Sequence, residues 1–145
     1  MNEFALDPSN IYRTAYYNKL NNQISVLAGR FIPVYDTVPD NAIAPYIILS
    51  SSTLTPILYN SGYGFSASIL IDIVTRFSSG GGKKLVDSIS NEIFKVILTR
   101  DKFYVDEQWN IYTSKLDNTK YFESQSGTGM VIRKLISFEN KIQQL

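Results

Sequence analysis

From Phe65 to Phe77 the sequence FSASILIDIVTRF sets Phe65, Ala67, Ile69, Ile71 and Ile73 at every second position. That is the period of a strand with one buried face. Ser66, Ser68, Asp72 and Arg76 occupy most of the alternate positions. The run SSGGG follows, which suits a turn and no regular element. Beyond it the period changes. Leu85, Ile89, Ile93, Val96 and Ile97 form one helical stripe through KKLVDSISNEIFKVIL. A long strand feeding an amphipathic helix predicts the seed of an α+β layer.

The flanking segments extend this pattern. Asp7-Pro8 marks a helix start, with an acceptor at the cap and proline at the first helical position. Tyr12, Tyr16, Leu20, Ile24 and Leu27 then recur every three or four residues, and Gly29 supplies a stop, so a helix is expected over residues 8–28. Pro33, Pro39 and Pro45 exclude a helix in the next stretch. There the expectation is a short extended piece at 31–35, a polar loop at 36–44, and an internal strand at 46–52. Residues 53–64 read as a loop or wide hairpin connection that exposes Tyr59 and Tyr63. After the second helix, residues 102–113 read as a strand bent or interrupted at 106–108, with Phe103, Val105, Trp109 and Ile111 on one side. Residues 117–128 read as a second exposed loop. A closing strand puts Met130, Ile132, Ile136 and Phe138 on one face, with Val131 and Leu135 on the other. The expected fold is α+β: a mixed, mainly antiparallel sheet of about four strands with two helices on one face, in a single domain over residues 1–145. Leu70, Val74, Val131 and Leu135 are left for the other face. An extra layer or a partner would cover them, unless they are the scattered exposed aliphatics of an ordinary surface.

Composition removes whole classes of chemistry. The chain has 145 residues, 14 Lys and Arg against 13 Asp and Glu, no cysteine and no histidine. There is no thiolate nucleophile or disulfide, and both the commonest metal ligand and the commonest general base are missing. A near-neutral charge gives no basic field for nucleic acid as main ligand. The opening MNEFALDPSN has neither the charged nor the apolar region of a signal peptide. No apolar run approaches the roughly 20 residues of a membrane span. A soluble intracellular product is the expectation. The ten tyrosines suit large amphipathic contact surfaces, although tyrosine also fills cores.

Candidate motifs fail on their own mechanics. SSGGGKK has glycines before lysine at a helix start, but a phosphate loop needs Ser or Thr after its lysine, and Lys83 is followed by Lys84. Its first glycine would fall at Ser78. Gly62-Tyr63-Gly64 precedes a strand, whereas a dinucleotide fingerprint follows one. The acids Asp36 with Asp40, and Asp106 with Glu107, suit turns that satisfy backbone amides better than a pair flanking a cleft. Asp72 is expected at a solvated or interface position, with a paired interior acid as the alternative. No catalytic, cofactor-binding or metal-binding residue is assigned.

One longer pattern remains. Val34-Tyr35-Asp36-Thr37-Val38-Pro39 is followed, after five residues, by Pro45-Tyr46-Ile47-Ile48-Leu49. Ile71-Asp72-Ile73-Val74-Thr75-Arg76-Phe77-Ser78 then leads into Gly80–Gly82 and the second helix, and strands close residues 103–139. This order resembles the small tail-completion or tail-terminator proteins of long-tailed bacteriophages and their relatives at the head–tail neck. Those proteins have an opening helix, a segment V-Y-D-x-V-P, and then P-Y followed by two hydrophobic residues. The chain departs from them at Val74-Thr75, where the family often has an aromatic residue, and residues 53–64 match nothing in the pattern.

The resemblance implies structural work without an active site or cofactor. The chain would form a ring, commonly hexameric, at the top of the tail or the head–tail junction. It would end the tail tube and join it to the portal or connector, with DNA only passing through the lumen and no membrane involved. Its place would be the virion, after assembly in the host cytoplasm. The expected protein-interface residues are Tyr59, Tyr63, Phe65, Tyr121 and Phe122, and the segments 53–64 and 117–128 are the expected ring–ring contacts. A non-catalytic protein-binding adaptor is the alternative, and an enzyme without histidine the third reading.

Overall fold

The computed structural model describes residues 4–59, 62–99, 103 and 105–145. Asp7 prepares the first helix from just outside it. Its Oδ1 accepts hydrogen bonds from the Ser9 hydroxyl at 2.6 Å and the Ser9 amide at 2.9 Å, and these hold the carboxyl below its ordinary range. Pro8 gives the first carbonyl, to Tyr12 N at 2.8 Å, and α1 runs Ser9–Leu20. The helix expected over 8–28 therefore ends early. Asn21 is extended and Asn22 takes φ 57°, a left-handed conformation that asparagine tolerates. Ile24 stays buried, but on a returning segment whose carbonyl accepts from Ile32 N at 2.8 Å. Gly29, at φ 79°, lies inside that turn, between the bridged residues Leu27 and Arg30.

The sheet has five strands: β1 (Val34–Tyr35), β2 (Tyr46–Tyr59), β3 (Gly62–Phe77), β4 (Trp109–Ser126) and β5 (Gly129–Gln144), in the order β1-β2-β3-β5-β4. Only β1 and β2 are parallel, and every other pairing is antiparallel. The strand beyond the expected four is β1, the short extended piece. Together with α1 and α2 (Lys84–Ile97) the fold is α+β.

Two expected loops are strands. Residues 53–59 continue β2 and 62–64 begin β3, with Thr55 opposite Ser66 and Tyr59 opposite Gly62; positions 60 and 61 lie outside the described residues. Residues 117–126 belong to β4, which pairs with β5 from Trp109–Gln144 to Ser126–Gly129 through two irregularities. Only the two-residue turn 127–128 remains of the second loop. There Gly127 takes φ 63°, as tight hairpins demand. The strand expected over 102–113 starts only at Trp109. Lys102 and Tyr104 lie outside the described residues, Phe103 is buried just ahead, and 106–108 form a turn in which Asp106 Oδ1 accepts from the amides of Gln108 (2.8 Å) and Trp109 (3.0 Å).

The core lies on one side of this sheet. Ile132, Ile136, Phe138 and Ile142 of β5 face it with Ile69, Ile71 and Ala67 of β3. Both helices cover this side: the Phe138 ring lies 6.2 Å from Tyr16 of α1 and 5.9 Å from Phe94 of α2. α2 buries Val86, Ile89, Ile93 and Ile97, with Leu85 and Val96 packed at the edge of the stripe. One polar cluster sits inside. The hydroxyls of Tyr12 and Tyr16 donate to Asn140 Oδ1 at 2.6 and 2.5 Å, and Asn140 Nδ2 donates to Thr113 O (3.1 Å) and Ser114 Oγ (2.8 Å). Burial pushes both phenols above their ordinary range.

Among the described residues the opposite side carries no helix. Leu70, Val131 and Leu135 are half-buried there and Val74 is buried. Asp72 corrects the solvated expectation: its side chain is 4 % exposed and the Arg133 guanidinium grips both carboxylate oxygens, with Nε 3.3 Å from Oδ1. A carboxylate taken out of water needs such a partner.

Candidate assembly surface

The antiparallel ladder puts the β2–β3 turn and the β4–β5 turn at opposite ends of the sheet. Gly64 pairs with Gln143 near the first, and Phe77 with Met130 near the second. The five expected interface residues thus fall into two groups. Tyr59, Tyr63 and Phe65 stand at one end; Tyr121 and Phe122 stand towards the other.

At the first end the side chain of Tyr59 lies outside what is described, while its backbone closes β2. Tyr63 is 40 % exposed. Phe65 is half-buried on the core side, 6.2 Å from Trp109 between ring centroids, so it packs mainly within the subunit.

At the second end Tyr121 and Phe122 point to opposite faces. Tyr121 turns to the helical side, where its hydroxyl donates to Asp87 Oδ1 of α2 at 2.6 Å. Lys134 Nζ donates to the same oxygen at 2.9 Å, and the ammonium groups of Lys134 and Lys83 lie 5.0 and 5.1 Å from the Tyr121 ring centroid. Lys83 also pairs with Glu123 at 3.1 Å. Burial works to raise the Asp87 carboxyl, but the Tyr121 hydroxyl, the Lys134 ammonium and the charge of Lys83 outweigh it and hold the group below its ordinary range. Phe122, on the bare face, is 52 % exposed beneath Lys120.

The surface here presents aromatic rings and cationic side chains in contact with one another. Before α2, Gly81 serves packing, since a Cβ there would lie 2.7 Å from the Phe77 ring, and Lys83 is engaged with Glu123. Among the described residues no group of three or more His, Cys, Asp or Glu is placed to hold a metal, and no helix is long and apolar enough to cross a membrane. Of the surface contacts, the sequence pattern missed the Tyr121–Asp87 bond, which joins residues on different elements with no periodic signal between them.

No protein-family model matches the sequence, and no curated protein matches it. Among solved structures, a chain from the virion of a native gene transfer agent particle superimposes with a TM-score of 0.76 at 15 % identity, over 96 % of this chain and 99 % of that one. The two chains share a fold.

Proposed function

We propose that this chain is a structural virion protein. Within that class, we propose a ring-former at the head–tail junction or top of the tail that ends the tail tube and joins it to the portal or connector. The observation that carries the reading is the likeness to a virion chain along nearly the whole of both molecules. The V-Y-D-x-V-P and P-Y segments, which supply the paired β1 and start of β2, support the finer placement through their resemblance to the tail-completion pattern. The reading gives the chain no reaction and no cofactor; its partners would be further copies of itself in a hexameric ring, and the tail-tube and portal proteins. DNA would only pass through the lumen. Tyr59, Tyr63, Tyr121 and Phe122 would serve assembly contacts, with Phe65 supporting the first group from behind.

Purified protein mixed with isolated tail tubes tests this. Electron microscopy is expected to show a ring at one tube end, and Tyr59→Asp with Tyr63→Asp is expected to leave a folded subunit that no longer caps tubes. A monomer that ignores tubes, or a double variant that caps them normally, would count against the ring or against this surface respectively.

A further inference from the structure

A groove crosses the end of the sheet beside the β4–β5 turn. It exists because β3 outruns β2. β2 begins at Tyr46, opposite Val74, whereas Thr75, Arg76 and Phe77 continue alongside β5 alone. The space β2 leaves is bounded by the incoming loop at 42–44 and by the start of β5, and its volume is about 710 Å³. Thr128 Oγ1 donates to Ser78 O at 3.2 Å, which ties the hairpin turn to the end of β3 and fixes the groove floor. The lining combines apolar groups with one cation: Ile43, 75 % exposed, with Phe77, Met130, Val131 and Arg76. Among the described residues the Arg76 side chain has no ion-pair or hydrogen-bonding partner.

The other end of the sheet presents the complement. Glu107 is exposed in the turn before β4 and, among the described residues, has no cationic partner. Leu145 is tied to that turn through its amide, which donates to Gln108 O at 2.7 Å, and its side chain is 52 % exposed. Phe4 stands at the same end, its carbonyl accepting from Gln144 Nε2 at 2.7 Å and its ring 74 % exposed. One end thus offers an acid beside two exposed apolar side chains, and the other a cation in an apolar groove.

We infer that this groove receives the Glu107 end of a second copy of the chain, with Glu107 paired to Arg76 and Phe4 and Leu145 set against Ile43, Met130 and Val131. The contact is heterologous, one patch meeting a different patch, and such contacts close into rings when the rotation permits. Opposite charges at the rim of an apolar contact fix its orientation and reject the reversed one. This inference deepens the ring reading and rests on it. It places the β4–β5 turn between neighbours within a ring.

The test is charge exchange, read by sedimentation velocity in solution and by ring counting on tail tubes. Arg76→Glu and Glu107→Arg each put like charges together and are expected to weaken self-association by at least about tenfold; the double variant restores opposite charge and is expected to return within about threefold of the wild type. Ile43→Asp, at an exposed position, is expected to weaken association without lowering the melting temperature. Rings that persist in both single variants would overturn the inference and leave the virion reading standing. Loss of rings in the singles with no recovery in the double would overturn the Arg76–Glu107 pairing. A wild type that associates neither in solution nor on tubes would overturn the ring reading together with this contact.

Discussion

The two faces of β5 teach what holds this molecule together. On its even-numbered side Ile132, Ile136, Phe138 and Ile142 are at most 1 % exposed under two helices. On its odd-numbered side Val131 and Leu135 are only half-covered, and Arg133 reaches across to Asp72. One strand therefore carries both a conventional core and a face from which Arg133 neutralises the buried carboxylate of the neighbouring strand. Stability resides in the first face. The second leans less on apolar burial and more on the intact ion pair.

The sharpest way to break this contrast is to place the same charge on both sides. Ile71→Asp buries an unpaired carboxylate under the helices and is expected to abolish the cooperative fold, a loss of more than about 4 kcal/mol. Leu135→Asp, on the bare face, is expected to keep it. Thermal unfolding followed by circular dichroism compares the two. A cooperative transition in Ile71→Asp would show that the faces are assigned the wrong way round.

Next in size is the polar cluster on the covered face. Asn140→Leu leaves the hydroxyls of Tyr12 and Tyr16 buried without their acceptor, and an expected cost of about 2–4 kcal/mol follows from two stranded donors. Tyr12→Phe removes one donor and leaves Asn140 Oδ1 bonded to Tyr16, so about 1 kcal/mol is expected. Urea unfolding of both variants measures the difference; equal costs would mean that the hydroxyls do not depend on the amide.

The smallest effect is at the edge of the covered face, where Asp87 receives Tyr121 and Lys134. Its folded carboxyl lies below the ordinary value of 3.8. The unfolded state therefore binds the proton more readily, and the stabilisation is present above the unfolded pKa and lost as pH falls through the folded one. Asp87→Asn is expected to flatten the acid limb of the melting temperature below about pH 4, with little change in the slope near neutrality. An unchanged acid limb would show that the carboxylate contributes nothing to folding.

The covered face was also the legible one. Alternation in β3 and β5, and the stripe of α2, announce themselves because burial on one side forces a period on the sequence. The stripe Tyr12, Tyr16, Leu20 was equally clear, and it misled at Ile24, which is buried on helical spacing although the chain has already turned at Asn21-Asn22. Where neither face is fully buried the signal vanishes. Residues 117–126, DNTKYFESQS, are exposed through most of their length yet form half of a long hairpin, held by backbone pairing that leaves no mark on composition. Residues 53–57, exposed or half-buried, likewise belong to a strand held by its pairing with β3. Aromatic residues at the hairpins could be picked out as surface candidates from the sequence. Their sorting to opposite ends could not, because it follows from which strands pair. The groove beside Arg76 had no signal at all: it is a difference in the lengths of two neighbouring strands.

Asn140 also sets a timetable. α1 is made before β5, and the acceptor its two tyrosines share lies 128 and 124 positions further on. Until that residue leaves the ribosome, the first helix has no seat for its phenols, and contacts of such long range form late in folding. Chains interrupted before β5 would thus lack the acceptor on which both phenols depend, and α1 would have no polar seat in them.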